Sequence, residues 1–136
     1  MDAYYKPSNL GRIPELIGLV PQAAGSFLKF EHDVYRASDA VPLKTKELIA
    51  VAVAHVTGCP YCIDNHVKKY RSLGGTREEI VEAVLVAAST RAGAVLSHAT
   101  QALIAFERND PMPDNAPASP KDGTSAAQSD GPECLC

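Results

Sequence analysis

The chain has no tryptophan, and aromatic residues make up only 6% of its 136 residues. That scarcity argues against surfaces that stack sugar rings or bases. There is no basic excess either: 13 Lys and Arg face 16 Asp and Glu, for a net charge of −3. A nucleic-acid binder needs a basic stripe to neutralise phosphates, so this balance argues against that class. No uninterrupted apolar run reaches the roughly 18 residues of a membrane span. The opening Met1-Asp2-Ala3-Tyr4-Tyr5-Lys6-Pro7 holds no apolar export core. Neither nucleic acid nor membrane is therefore expected as a partner, and the expected location is cytoplasmic. Cysteine is scarce too. A small secreted scaffold would spread many cysteines through its loops. Here there are four, in two close pairs, Cys59 with Cys62 and Cys134 with Cys136. Close pairs in a cytosolic chain point to redox chemistry or metal binding.

What is present suits one globular domain. Apolar residues reach 46% and charged residues 21%, and a domain near this size buries roughly two-thirds of its unfolded surface. The last stretch differs in composition. Residues 110–136 hold five of the ten prolines, Pro111, Pro113, Pro117, Pro120 and Pro132, among Asp, Asn, Ser, Gly and Ala. Such a segment buries too little apolar surface to offset its ordering entropy, so it reads as a disordered tail. The domain is then about residues 8–109.

Within it the pattern is helical and no segment sustains a period of two. Phe27, Phe30 and Val34 share one face of a helix over 22–37, bracketed by Pro21 and Pro42. A second helix runs from about Leu43 to Val56, and its stretch from Leu48 to Ala54 is apolar nearly all round, which predicts burial. Thr57-Gly58 breaks it. Cys59 sits near an N-cap, with Pro60 at the first helical position of a third helix to about Ser72. Gly74-Gly75 stop that helix, and Thr76-Arg77-Glu78-Glu79 is a capping box opening the next. Ile80, Val84 and Ala87 share a face there, and Gly93 divides it from a last helix through Ala94, Ala99, Leu103 and Phe106. The fold class is all-α: about six helices in one compact domain.

The chemistry concentrates in Glu47-(x11)-Cys59-Pro60-Tyr61-Cys62-(x3)-His66. Cys62 falls in the first turn of its helix, where free N–H groups and the dipole lower a thiol pKa. His66 lies four residues on, over the same face. Cys59, three residues before Cys62, can meet it sulfur to sulfur. Glu47, from the preceding helix, can hold the imidazole in one tautomer. The set supplies a nucleophilic thiol, a resolving thiol, a proton shuttle and an orienting carboxylate. The competing reading is a zinc site built from Cys59, Cys62, His66 and Glu47. Structural zinc usually draws ligand pairs from separate loops, and the domain has no second Cys/His pair, so redox chemistry is preferred and no metal or cofactor is called for. Tyr61 reads as packing, and His55 and His98 as structural.

The run from Glu47 to His66, Glu-Leu-Ile-Ala-Val-Ala-Val-Ala-His-Val-Thr-Gly-Cys-Pro-Tyr-Cys-Ile-Asp-Asn-His, resembles the alkylhydroperoxidase D-like (AhpD-like) branch of the carboxymuconolactone decarboxylase family. Gly74-Gly75-Thr76-Arg77-Glu78-Glu79-Ile80 fits its continuation, and the likeness spans about residues 10–108. It implies an all-helical fold and a peroxidase for hydrogen peroxide or organic hydroperoxides. By it, Cys62 is the peroxidatic thiol, Cys59 resolves it to a disulfide, His66 relays the proton and Glu47 stands behind His66. It implies homo-oligomers, commonly trimers or hexamers, and a dithiol reductant, in some cases a lipoyl-type donor protein. The decarboxylase branch lacks the cysteine pair, so Cys59 and Cys62 count against decarboxylation. Plain thiol–disulfide exchange, in a disulfide reductase or redox sensor, uses the same pair.

The tail departs from the family pattern by ending Glu133-Cys134-Leu135-Cys136. A flexible linker of about two dozen residues spans roughly 25–30 Å. The terminal cysteines are therefore candidates for an auxiliary redox pair serving Cys59 and Cys62, or for a soft-metal site. The alternative is an unstructured tail with incidental thiols.

Overall fold

Prolines set most of the helix starts. In the computed structural model, which describes residues 3–108, Pro7 opens a 3-10 turn, Pro7–Arg12. Pro14 sits in the first turn of α1 (Ile13–Leu19). Pro21 and Pro60 begin α2 (Pro21–His32) and α4 (Pro60–Ser72), while Pro42 immediately precedes α3 (Leu43–Thr57). A proline costs nothing there, because the first N–H groups of a helix have no intrahelical partner. The last helix, α5 (Arg77–Glu107), starts instead from the capping box, with the Thr76 and Glu79 side chains each accepting the other's backbone N–H. Gly58 ends α3 at φ 68°, a left-handed conformation that a residue without Cβ adopts freely. No strand occurs among the described residues, so the all-α expectation holds.

Two boundaries differ from the sequence reading. Gly93 does not divide the final segment, and α5 runs unbroken for 31 residues. A lone glycine costs a helix only about 1 kcal/mol, which its flanking helix formers absorb. The helix expected over 22–37 keeps α-geometry only to His32, and Asp33–Ala37 wind as a π-turn. Among the described residues there are thus five α-helices, a short 3-10 helix and a π-turn.

Helix α3 is central, packed against α4 and α5, and α2 packs against α1 and the π-turn. Val51 and Ala54 of α3 and Tyr70 of α4 are the buried apolar residues. The expectation that α3 is buried all round is corrected: Ile49 and Val53 are half exposed. Phe27, Phe30 and Val34 share a stripe as expected, but the stripe is exposed. Periodicity identifies an apolar face without saying what lies against it. The same holds for α5, about 46 Å long against about 22 Å for α3. Every residue from Ala88 to Arg108 is exposed. By length and composition alone α5 is apolar enough to cross a membrane, yet its helix packs on α3 in this fold.

A polar lock joins α4 to α5. The Tyr70 hydroxyl, in a fully buried side chain, donates to Glu79 at 2.5 Å, and Lys44 of α3 reaches the other Glu79 oxygen at 3.3 Å. The hydrogen bonds from Tyr70 and Thr76 hold the Glu79 carboxyl down at about 2, while burial and Glu79 push the Tyr70 phenol up to about 12. Gly75 lets the chain pass this ring: a Cβ there would stand 2.1 Å from the Tyr70 ring.

Candidate functional site

The turn between α3 and α4 fixes both cysteines. Cys59 is the N-cap of α4, and its sulfur accepts the backbone N–H of Cys62 at 3.3 Å. The two sulfurs lie 2.7 Å apart, within hydrogen-bonding reach. A disulfide needs about 2.05 Å, so the bond can close with a movement below roughly 1 Å.

This geometry corrects the expected activation of Cys62. Of the first-turn N–H groups expected to favour the Cys62 thiolate, that of Cys62 itself donates to the Cys59 sulfur. The hydrogen bonds from the Cys62 thiol and backbone pull the Cys59 pKa down. The same thiol contact, then burial, then the nearby charges of Cys59 and Glu31, push Cys62 up to about 11. The two thiols titrate as a pair, and the first deprotonation is favoured at Cys59, the sulfur facing the helix N-terminus.

His66 and Glu47 meet as the spacing suggested. Nδ1 of His66 lies 2.6 Å from Oε2 of Glu47. Glu47 is the buried charged residue of the described chain, 3% exposed. An ionised carboxylate can only accept, so Nδ1 carries a proton, and a neutral imidazole held this way presents Nε2 as its acceptor. That is the tautomer of a proton acceptor held by an orienting carboxylate. Both Cys62 and His66 line a cavity of about 440 Å³, a size suited to a small organic ligand. Its other walls are largely apolar: Val34, Tyr35, Val41, Ile49 and Val53. Cys59 does not line it. Among the described residues, no group of three or more His, Cys, Asp or Glu is placed to hold a metal ion.

The remaining sequence candidates fall elsewhere. Nδ1 of His55 lies 2.8 Å from the Val51 carbonyl, and the ring faces a hollow between α3 and α5. His98 lies on the exposed half of α5. Tyr61 anchors the N-terminal segment: Asn9 Nδ2 donates to its hydroxyl at 2.7 Å and Tyr5 packs edge-on at 5.3 Å. Cys134 and Cys136, with the rest of the proposed tail, lie outside the described residues. Sequence reasoning missed Tyr35, whose ring stacks on His66, and Lys46, which ties down the π-turn. Lys46 was adjacent to Glu47 in plain view. Tyr35 gave no signal, since 31 positions separate it from His66.

Residues 21–105 match the carboxymuconolactone decarboxylase family. The chain belongs to that family. The matched span contains Glu47, Cys59, Cys62 and His66. The chain is 51% identical over 85 residues to "Uncharacterized protein 4 in cox locus" of Paracoccus denitrificans, covering 62% of this chain and 76% of that one. Alkyl hydroperoxide reductase AhpD of Mycobacteroides abscessus is 45% identical over 42 residues, which are 31% of this chain and 24% of AhpD. Among solved structures, a protein from Methanobacterium thermoautotrophicum superposes with a TM-score of 0.60 at 31% identity, covering 68% of this chain and 99% of that one.

Proposed function

We propose that this carboxymuconolactone decarboxylase family protein is a thiol-dependent peroxidase, reducing hydrogen peroxide or organic hydroperoxides. The observation that carries the reading is a closable sulfur pair with one sulfur, Cys62, in an apolar cavity beside a carboxylate-held imidazole. The similarity of a short stretch to AhpD supports it. His66 Nε2 takes the Cys62 proton, which overcomes the raised pKa of that thiol. The Cys62 thiolate attacks the peroxide oxygen, the O–O bond breaks, and His66 returns the proton to the departing alkoxide or hydroxide. Cys59 then attacks the Cys62 sulfenic acid, releasing water and forming the disulfide. A dithiol reductant or a lipoyl-type donor protein takes up that disulfide by exchange, which restores both thiols. A cytoplasmic location is part of this proposal.

One observation favours a second reading. A depressed Cys59 pKa with a raised partner is the division that thiol–disulfide exchange uses, with Cys59 as attacking thiolate and Cys62 as resolving thiol. One experiment separates the two: consumption of hydroperoxide and of a model disulfide, with a dithiol reductant, by wild type, Cys62→Ser and Cys59→Ser. For a peroxidase, Cys62→Ser loses turnover, and Cys59→Ser stops after one sulfenic acid per chain, captured by a dimedone-type reagent. Disulfide reduction without peroxide turnover would instead move the function to exchange.

We also propose that the chain assembles with copies of itself as a homo-oligomer, a trimer or a hexamer. The exposed stripes of α2 (Phe27, Phe30) and α5 (Leu96, Leu103, Phe106) support this, since a soluble chain rarely leaves contiguous apolar faces that large uncovered.

A further inference from the structure

We propose that Tyr35 is a positioning residue for His66, its ring fixing the plane of the imidazole so that Nε2 stays turned to the cavity. This deepens the thiol-redox reading and rests on it. The bond to Glu47 fixes where Nδ1 sits, but one hydrogen bond leaves the ring free to swing about it. Tyr35 removes that freedom. Its ring lies nearly parallel to the imidazole, at 16° and with centroids 5.9 Å apart, an offset stack. Both rings line the cavity that Cys62 enters.

The backbone around Tyr35 is built to hold it there. Tyr35 is the middle residue of the π-turn, closed by the Ser38 N–H to the Asp33 carbonyl at 3.2 Å. A π-turn holds one residue more than an α-turn, so it re-aims the side chains it carries, and such turns recur at functional sites. Lys46 donates to the Val34 carbonyl at 2.5 Å and also to the Ser38 carbonyl. Consecutive residues of α3 therefore hold the two rings: Lys46 the Tyr35 segment and Glu47 the His66 imidazole. Lys69, one turn beyond His66 on α4, brings its ammonium 5.9 Å from the Tyr35 ring centroid. Burial, then the charges of Glu47, Glu31 and Cys62, push the phenol pKa up, so Tyr35 stays neutral at physiological pH. Its hydroxyl makes no hydrogen bond among the described residues, which assigns the role to the ring.

The test reads the fixation of the ring through its nitrogen shifts, since an imidazole that swings out of plane breaks its bond to Glu47 part of the time and its tautomers then average. The full-length reduced protein, labelled with nitrogen-15 histidine, is compared by long-range proton–nitrogen correlation with Tyr35→Phe and Tyr35→Leu. His66→Gln assigns the His66 signals among the four histidines. Wild type and Tyr35→Phe are expected to show His66 as one fixed Nδ1–H tautomer. Tyr35→Leu is expected to show averaged nitrogen shifts, with hydroperoxide kcat about tenfold lower, while Tyr35→Phe stays within about twofold of wild type. Lys46→Met, which frees the π-turn and keeps the Tyr35 ring, should move the signature in the same direction if Tyr35→Leu folds poorly. An unchanged tautomer signature in both Tyr35→Leu and Lys46→Met overturns the proposal, as does a Tyr35→Phe protein as impaired as Tyr35→Leu. A protein that consumes no peroxide but still shows the tautomer change retains the positioning role and loses only the peroxidase reading.

Discussion

The second halves of α3 and α5 are both rich in small and branched apolar residues, yet they meet opposite surroundings. In α3, Val51 and Ala54 are buried between α4 and α5, and the same helix carries Glu47 into the site. In α5, Leu96, Leu103 and Phe106 are 75%, 63% and 88% exposed. The difference lies in length and neighbours. Helix α3 has both α4 and α5 against it, whereas α5 is about 20 Å longer than α3, the helix it packs on. One segment is complete within the chain and organises the chemistry. The other is an apolar surface that the described residues leave uncovered, the face on which the proposed homo-oligomer would form.

The comparison breaks most sharply if the two regions can be disabled separately. Leu96→Asp with Phe106→Ser puts polar groups into the uncovered face of α5. The expected outcome in sedimentation equilibrium is loss of the oligomer with helical content retained. Dilute protein that remains a monomer in wild type would mean the face serves a different partner. In the α3 region, Glu47→Gln keeps the shape but exchanges the carboxylate that fixes the imidazole for an amide. Steady-state hydroperoxide turnover should fall about 10²-fold, with the oligomer unchanged.

Smaller effects sharpen the picture of the site itself. In the reduced protein near neutral pH, iodoacetamide should label Cys59 several-fold faster than Cys62, read by peptide mass spectrometry, because Cys59 carries the depressed pKa. Faster labelling of Cys62 would place the charge on the cavity sulfur at rest. The smallest effect belongs to Glu79. Its folded pKa, about 2, lies below the usual carboxylate value, so its contribution to stability is present above about pH 4.5 and is lost as pH falls toward 2. Glu79→Gln should therefore flatten that part of the melting-temperature profile and leave the neutral region nearly parallel to wild type.

Much of the fold was legible because it is written in local rules. Pro60, Gly58 and the Thr76 to Glu79 box act within one turn of themselves, and the structure has them doing so. Gly93 misled because a break signal is only a small energy, overridden by helix on both sides. The site was legible where its parts are close in sequence. Cys59 and Cys62 are three residues apart, and His66 follows at four. Glu47 was within reach because a single turn folds α3 back on α4.

By itself, the sequence determined the helices, their caps and the inventory of reactive groups, since these follow from backbone sterics and residue chemistry within a few positions. Tertiary structure decided the rest. It decided which sulfur ionises more readily, because that depends on where one N–H and one thiol proton point in space. It brought Tyr35 onto His66 through a π-turn that no period-3.6 pattern announces. It also decided which apolar faces found a neighbour in the chain, because burial is a property of pairs of surfaces and a sequence pattern describes only one of them.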